Sequence, residues 1–296
     1  MTVATTPALF AGLVDDAASL PSMSVRHGPA FAEHRRHRSA WYAGMVGLLV
    51  VRASTVTDLI RAGSLDGLEL VVVADTGMDR LADAVAVLAD GKATVRRVEA
   101  AVAKRGEDPL PGLRRLMAVA ERLPGIAVSA EIPLTWGLME ALDVVAASSE
   151  GRPGMFAKFR IGGLAAELFP APAALAAVIC ACRDRKVQFS LSAGLHRAIR
   201  HNDPETGFTH HGVLNILAGC LAAAKGAAVA VVGDRIAATD AVPLVEMIRA
   251  GRDLPRPLWT GFSTWRIDEV VADLQAFGLL GPDSAASDIR QSSAHP

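Results

Sequence analysis

Short apolar runs alternate with helix-like stretches along the whole chain. The runs rich in Val, Ile and Ala cover residues 8–17, 45–54, 68–77, 94–103, 125–134, 156–163, 187–196 and 227–235. Their length and β-branched content predict strands. Between them, residues 79–90, 110–123, 135–148 and 172–185 place apolar side chains at three- and four-residue spacing, the signature of helices with one buried face. Alternating strands and helices imply right-handed crossovers and a parallel sheet covered by helices. About eight such units is the count of a (β/α)8 barrel. A doubly wound open sheet is the competitor, but no G-x-G-x-x-G follows the first run and no G-x-x-x-x-G-K-[ST] occurs. The expectation is an α/β fold: one TIM-barrel-like (β/α)8 domain over residues 1–280, with a final helix within 257–281. The small, polar residues 281–296 are expected to form a flexible tail.

One stretch tests this reading. From Gly212 to Gly233 the chain is almost continuously apolar, and a membrane helix needs about 20 such residues. Lys225 and Gly226 interrupt it, and the residue types change from Leu/Ala to Ala/Val across the break. A buried helix, a glycine stop and the eighth strand are expected instead.

Composition narrows the function classes. At 51% hydrophobic residues the chain has ample material for a large core. Lys plus Arg (30) nearly cancel Asp plus Glu (31). That balance gives no electrostatic case for nucleic acid or for a membrane surface. Three cysteines, two of them only one residue apart, are no disulfide framework and fit a reducing cytoplasm. No basic region followed by a long apolar stretch marks a secretory signal at the N-terminus. A cytoplasmic protein with a small-molecule partner is expected, with a homodimer as the oligomeric form considered.

Candidate chemistry begins at "FAKFRIGG", residues 156–163, where a strand-like run carries two cations. Burying a cation costs several kcal/mol unless something pairs with it. Applying the two-residue period of a strand, Ala157, Phe159 and Ile161 face the helices, so Lys158 and Arg160 face the lumen. The same test turns Glu99, Ser129, Glu131, Ser190 and Ser192 inward. Together with Asp15 or Asp16, Arg52, Asp75 and His196, these residues converge near strand C-termini, where TIM-barrel active sites lie. Adjacent strands four, five and six bring Glu99, Glu131 and Lys158 together, so carboxylates offset the buried ammonium. Of the two acids ending the first run, Asp16 is taken into the mouth and the other caps a helix.

The sixth strand with Lys158, the Gly162-Gly163 pair, a helix and then "FSLSAGLHR" resembles the strand 6–strand 7 segment of Schiff-base (class I) aldolases of the deoxyribose-phosphate aldolase group. The resemblance covers roughly 40 residues. It implies an imine-forming role for Lys158 and a binding turn at Ala193-Gly194. The family's second lysine falls at Ser190, and the second glycine of its phosphate turn is Leu195. The expected eighth strand ends in Gly233-Asp234, and an aspartate there repels phosphate. A carboxylate gripped by arginine is therefore the expected substrate group.

A loop after the seventh run, "SAGLHRAIRHNDPETGFTHHG", holds His196, His201, His210 and His211 at the catalytic face. No H-x-H or H-E-x-x-H occurs, so a metal ion is kept only as an option, with no cofactor assigned. The basic stretch 33–39 is read as a solvated helix face, and Cys180 and Cys182 as packing residues.

The leading expectation is a lyase of aldolase type acting on a small oxygenated, carboxylate-bearing metabolite. Lys158 forms the imine, Glu99 or Glu131 moves protons, His196 assists as acid or base, and Arg160 orients the substrate. Arg52, Asp16, Asp75, Ser190, Ser192, Gly194, His211 and Asp234 complete the binding set. The rivals are a metal-dependent hydrolase or isomerase using the histidine loop, and a barrel that binds a small molecule without catalysis.

Overall fold

The computed structural model describes residues 6–20, 27–62, 65–148 and 154–281. Eight parallel strands close into one barrel: β1 (Val14–Asp16), β2 (Val46–Arg52), β3 (Glu69–Val73), β4 (Thr94–Ala101), β5 (Ala127–Glu131), β6 (Met155–Arg160), β7 (Phe189–Ser192) and, last in the chain, β10 (Trp259–Thr264). β10 lies between β7 and β1 and closes the ring. A two-stranded hairpin, β8 (His201–Asn202) with β9 (Thr209–His210), stands on the loop after β7. The helices are α1 (His27–Ser39), α2 (Val56–Ala62), α3 (Leu81–Asp90), α4 (Pro109–Ala120), α5 (Leu138–Ser148), α6 (Pro172–Asp184), α7 (Val213–Ala224), α8 (Val229–Ala237), α9 (Ala241–Gly251) and α10 (Ile267–Ala276). The expected single (β/α)8 domain is the observed one. Beyond Gly281, the expected tail lies outside the described residues.

Two apolar layers hold the barrel. The outer one buries the helix-facing set, with Val98 and Ala100 on β4, Val128 and Ala130 on β5, and Ala157 and Phe159 on β6. The inner one is small: Ala17, Val50 and Val71, with Leu20, Leu48 and Val73 against them. Lumen packing is thus apolar along β2 and β3. The remaining inner faces are free to carry polar groups.

The eighth strand is not where the apolar pattern put it. Residues 227–235 fold mostly into α8, whose buried face is Val232, Gly233 and Ile236. Those positions fit a helical stripe as well as they fit alternation. α8 packs on α6, where a Cβ at Gly233 would meet Ala173 and Ala176 in ordinary contact at 3.8 Å. The true eighth strand is "WTGFST", which has few aliphatic residues and lies in the segment expected to be helical. Only residues 267–276 of that segment form the helix, α10. Gly261 there has φ +145 and seats its backbone where a Cβ would fall 2.5 Å from the Leu13 carbonyl. The first run also shortens, to a 3-10 turn at Ala8–Phe10 and the three-residue β1.

The segment Ala166–Asp184 has the length and mean hydropathy of a membrane span. Here it is a 3-10 turn and α6, which packs against α8 and α7 and buries Leu175, Ile179 and Cys182.

The basic stretch on α1 is only half solvated. Arg36 is exposed and bridges Glu33 and Asp268, but His34 and His37 are buried.

Candidate functional site

Inner-face alternation places five charged side chains in one connected row across the lumen. Asp15 of β1 accepts a hydrogen bond from Arg97 Nη2 of β4. Arg97 Nε donates to Glu99 Oε1 at 3.1 Å, and Lys158 Nζ donates to Glu99 Oε2 at 2.5 Å. Glu131 Oε2 stands 3.3 Å from the same ammonium. Register explains the meeting: Glu131 and Lys158 are direct partners on β5 and β6, and Arg97 and Glu99 share the inner face of β4. Asp15 has room because residue 47 is glycine. A Cβ there would fall 2.4 Å from Asp15 Oδ1, which instead accepts the Leu48 amide at 2.8 Å.

Charge alternates along the row, with three carboxylates and two cations leaving one net negative charge. Burial alone pulls the Lys158 ammonium down, but Glu99 and then Glu131 outweigh it and hold its pKa above the ordinary lysine value. Burial pushes Glu99 up, yet Lys158 and Arg97 outweigh that and keep it ionised below the usual carboxylate range. Between these two carboxylates Lys158 is therefore held as an ammonium. The cation acting on it is Arg97, two residues before Glu99, rather than Arg160.

Glu131 is the row's outlet, with its side chain 24% exposed while Glu99 and Lys158 are closed off. It lines a cavity of about 390 Å3 at the C-terminal end of β5 and β6, together with Arg160, Arg105, Glu167 and Phe169. Arg160 Nε donates to the Gly162 carbonyl at 3.1 Å, and Arg105 Nη1 donates to the Glu167 carbonyl at 2.7 Å. A larger hollow, about 660 Å3, opens at the opposite end between α4 and α5. Its lining is mostly apolar and holds none of the convergent charges, so the site is placed at the C-terminal end.

Several expected residues do different work. Asp16 points away from the lumen: its Oδ2 meets His34 Nδ1 at 3.1 Å and its Oδ1 accepts the Ala18 amide. Val14 belongs to the outer layer, so alternation sends Asp15 inward and Asp16 outward. Arg52 donates to the Leu20 carbonyl and braces the β1 loop. Asp75, exposed, accepts hydrogen bonds from the amide and hydroxyl of Ser54. Asp234 left the site with the misplaced strand and is exposed on α8. Gly194 (φ +77) faces protein, not ligand: a Cβ on it would fall 2.9 Å from the Ile161 carbonyl oxygen. Ser190 and Ser192 do face the lumen beside Lys158 and Arg160.

The histidine loop folds over β7 and β10. His196 Nδ1 is hydrogen-bonded to Thr264 Oγ1 at 2.9 Å, and its ring lies 5.0 Å from Trp265. His210 lies next to His196, His201 and Phe169. His210 Nδ1 donates to the Gly194 carbonyl at 3.2 Å. His211 is fully engaged, its Nε2 donating to Pro170 at 2.8 Å and its Nδ1 accepting from Arg200 at 3.2 Å. It ties two loops together and does not reach the site. Among the described residues, the metal-capable trio with all donor atoms within 4.8 Å of one another is Glu33, His37 and Asp268, on the helices α1 and α10 and not on the strands that carry the lumen row. Arg36 already occupies that trio, and the loop histidines form no such group.

Burial, then the nearby Arg200, brings His211 down to about 4. The unfolded chain takes up this proton near pH 6.5, so the unfolded state binds more protons between the two values. Stability should fall as pH drops from 6.5 towards 4, by about 3 kcal/mol for this one group. In His211→Gln that share of the acid loss should vanish, as read from urea midpoints at pH 7 and pH 4.5.

Sequence reasoning missed two residues. Arg97 lies two positions before Glu99, and the same period would have found it. Arg105 sits on a loop, where no period applies. No protein-family model matches this chain, and no curated protein matches it.

Proposed function

We propose that this barrel is an enzyme acting on a small, oxygenated, carboxylate-bearing metabolite by lyase chemistry of the aldolase type at the Glu131–Lys158 pair. One observation carries the reading: an ammonium and a cavity-facing carboxylate stand 3.3 Å apart beneath a pocket that also holds Arg160 and Arg105. The arginines supply the grip for a carboxylate. Lys158 is the only lysine in the row and the only candidate for an imine.

Imine formation from this resting state needs a proton acceptor. Glu131 takes a proton from Lys158, and the freed amine adds to the substrate carbonyl carbon. A second proton moves from the adding nitrogen to the former carbonyl oxygen, Glu131 returns the first, and that oxygen leaves as water, giving a protonated imine. The carbon–carbon bond then breaks with its electron pair drawn into that imine to give an enamine. Glu131 takes the hydroxyl proton of the departing carbon, which leaves as a carbonyl compound. Glu131 returns this proton to the enamine carbon, and water hydrolyses the imine to free Lys158.

A second reading is favoured by the two carboxylates that hold Lys158 protonated. Lys158 remains an ammonium that stabilises developing negative charge, and Glu131 removes a proton next to the substrate carbonyl. Borohydride separates the two. Treatment of the protein with borohydride and small hydroxy-aldehydes or oxo acids should add the mass of the reduced compound to the peptide containing Lys158. A compound that is turned over yet leaves no adduct there overturns the imine and leaves the proton-transfer reading. Binding without turnover of any compound would make this a ligand-binding barrel.

A further inference from the structure

Three buried hydroxyls stand beside the charged row without a hydrogen-bond partner: Oγ of Ser129, Ser190 and Ser192. These residues are 0%, 5% and 9% exposed. An unsatisfied buried hydroxyl costs about 1–3 kcal/mol, and inner positions of a barrel are ordinarily filled by branched apolar residues. Their placement follows the charges. Ser190 is the register partner of Lys158, and Ser192 is the partner of Arg160. Neighbouring strands lie about 4.8 Å apart, so each hydroxyl is within reach of what its partner cation binds. Lys158 has three N–H groups, of which Glu99 and Glu131 face two. A carbonyl oxygen accepts two hydrogen bonds near its own plane, and the third N–H with the Ser190 hydroxyl can supply both.

We infer that Lys158 and Ser190 form an inner subsite for a carbonyl oxygen, with Arg160 and Ser192 one level above it for a carboxylate, so that the ligand is a short oxo acid. This rests on the reading of Glu131 and Lys158 as the reacting pair. Lys158 and Arg160 are two residues apart on one face of β6, which separates their backbones by about 6.6 Å. A carboxylate and a carbonyl separated by few bonds span that interval. The charges around the cavity favour a monoanion: Arg105 and Arg160 face Glu131 and Glu167, so a phosphate dianion meets two acids as well as two guanidinium groups. In the imine route, the oxygen held by Ser190 is the one expelled as water. In the proton-transfer route, it is the one that gains negative charge.

Calorimetric titration of the full chain with pyruvate and 2-oxobutyrate, set against propionate and butyrate, tests the subsite. The oxo acids should bind about tenfold more tightly than their carbonyl-free counterparts. Ser190→Ala should remove most of that preference while leaving propionate binding unchanged, whereas Ser192→Ala should weaken both classes and keep the preference. Arg160→Met should weaken both classes alike. Equal binding of both classes, or a preference that survives Ser190→Ala, overturns the inference and assigns the hydroxyls to bound water. Failure of the wider reading looks different. The preference would persist and depend on Ser190, while no oxo acid is turned over and none is trapped on Lys158.

Discussion

Arg97→Met should destabilise the folded protein by about 3–5 kcal/mol, although Arg97 lines neither of the two cavities described above. It is the only cation between Asp15 and Glu99, donating to both, and its side chain is 13% exposed. Methionine fills the volume but strands two carboxylates. The row would then hold three acids against Lys158 alone, one more unbalanced negative charge than in the parent. Equilibrium denaturation at pH 7 measures the loss, and pH separates this cause from simple mispacking. In the parent, Glu99 is held below its ordinary pKa, so its contribution is present above about pH 4.5 and fades as pH falls. In the variant, Glu99 loses one of the two cations that hold it down, so it titrates higher, and protonating it relieves the repulsion. The deficit of Arg97→Met relative to parent should therefore shrink on acidification. Arg97→Met with Asp15→Leu should recover part of it at pH 7. A deficit that is the same at pH 5 and pH 8 would mean that the loss is one of packing.

Much of this site was legible because strands report their inner face every second residue. The pattern around Lys158 turned Glu99, Glu131, Ser190 and Ser192 inward, and all four lie there. Arg97 was equally legible in principle, since it shares the inner face of β4 with Glu99. Attention to strand C-termini passed over it, because the row runs deeper into the lumen than the mouth. Asp15 and Asp16 could not be told apart from the pattern alone. β1 is only three residues long, and a short strand does not fix its own phase.

Other placements depended on contacts that sequence does not record. The apolar run at 227–235 satisfies a strand and a helix equally, and close packing on α6 decides for α8. That displacement removed Asp234 from the site and hid β10. Thr264, which orients His196, lies on β10. The loop histidines were legible as a loop at the correct end of the barrel. Their separate uses were not, since these follow from the carbonyls of Gly194 and Pro170.

Lys158 gives the strongest contrast between structure and chemistry, because two substitutions divide the roles. Lys158→Met removes the partner of a fully enclosed carboxylate. Glu99 would keep only Arg97, and Glu131 would lose its sole ion pair among those found at the site. A loss of about 3–5 kcal/mol is expected, together with loss of all turnover. Lys158→Arg keeps the positive charge between Glu99 and Glu131, so it should retain most of the stability. A guanidinium is not deprotonated in a protein and cannot add to a carbonyl. If Lys158 forms the imine, Lys158→Arg should show no turnover and no borohydride adduct while its denaturation midpoint stays near the parent's. If Lys158 acts only as a cation, Lys158→Arg should keep measurable turnover, reduced by imperfect geometry, and Glu131→Gln should then be the inactive variant. A Lys158→Met protein as stable as the parent would contradict the pairing itself. It would mean that Glu99 is accommodated by Arg97 alone and that the lysine is held in the lumen for its chemistry.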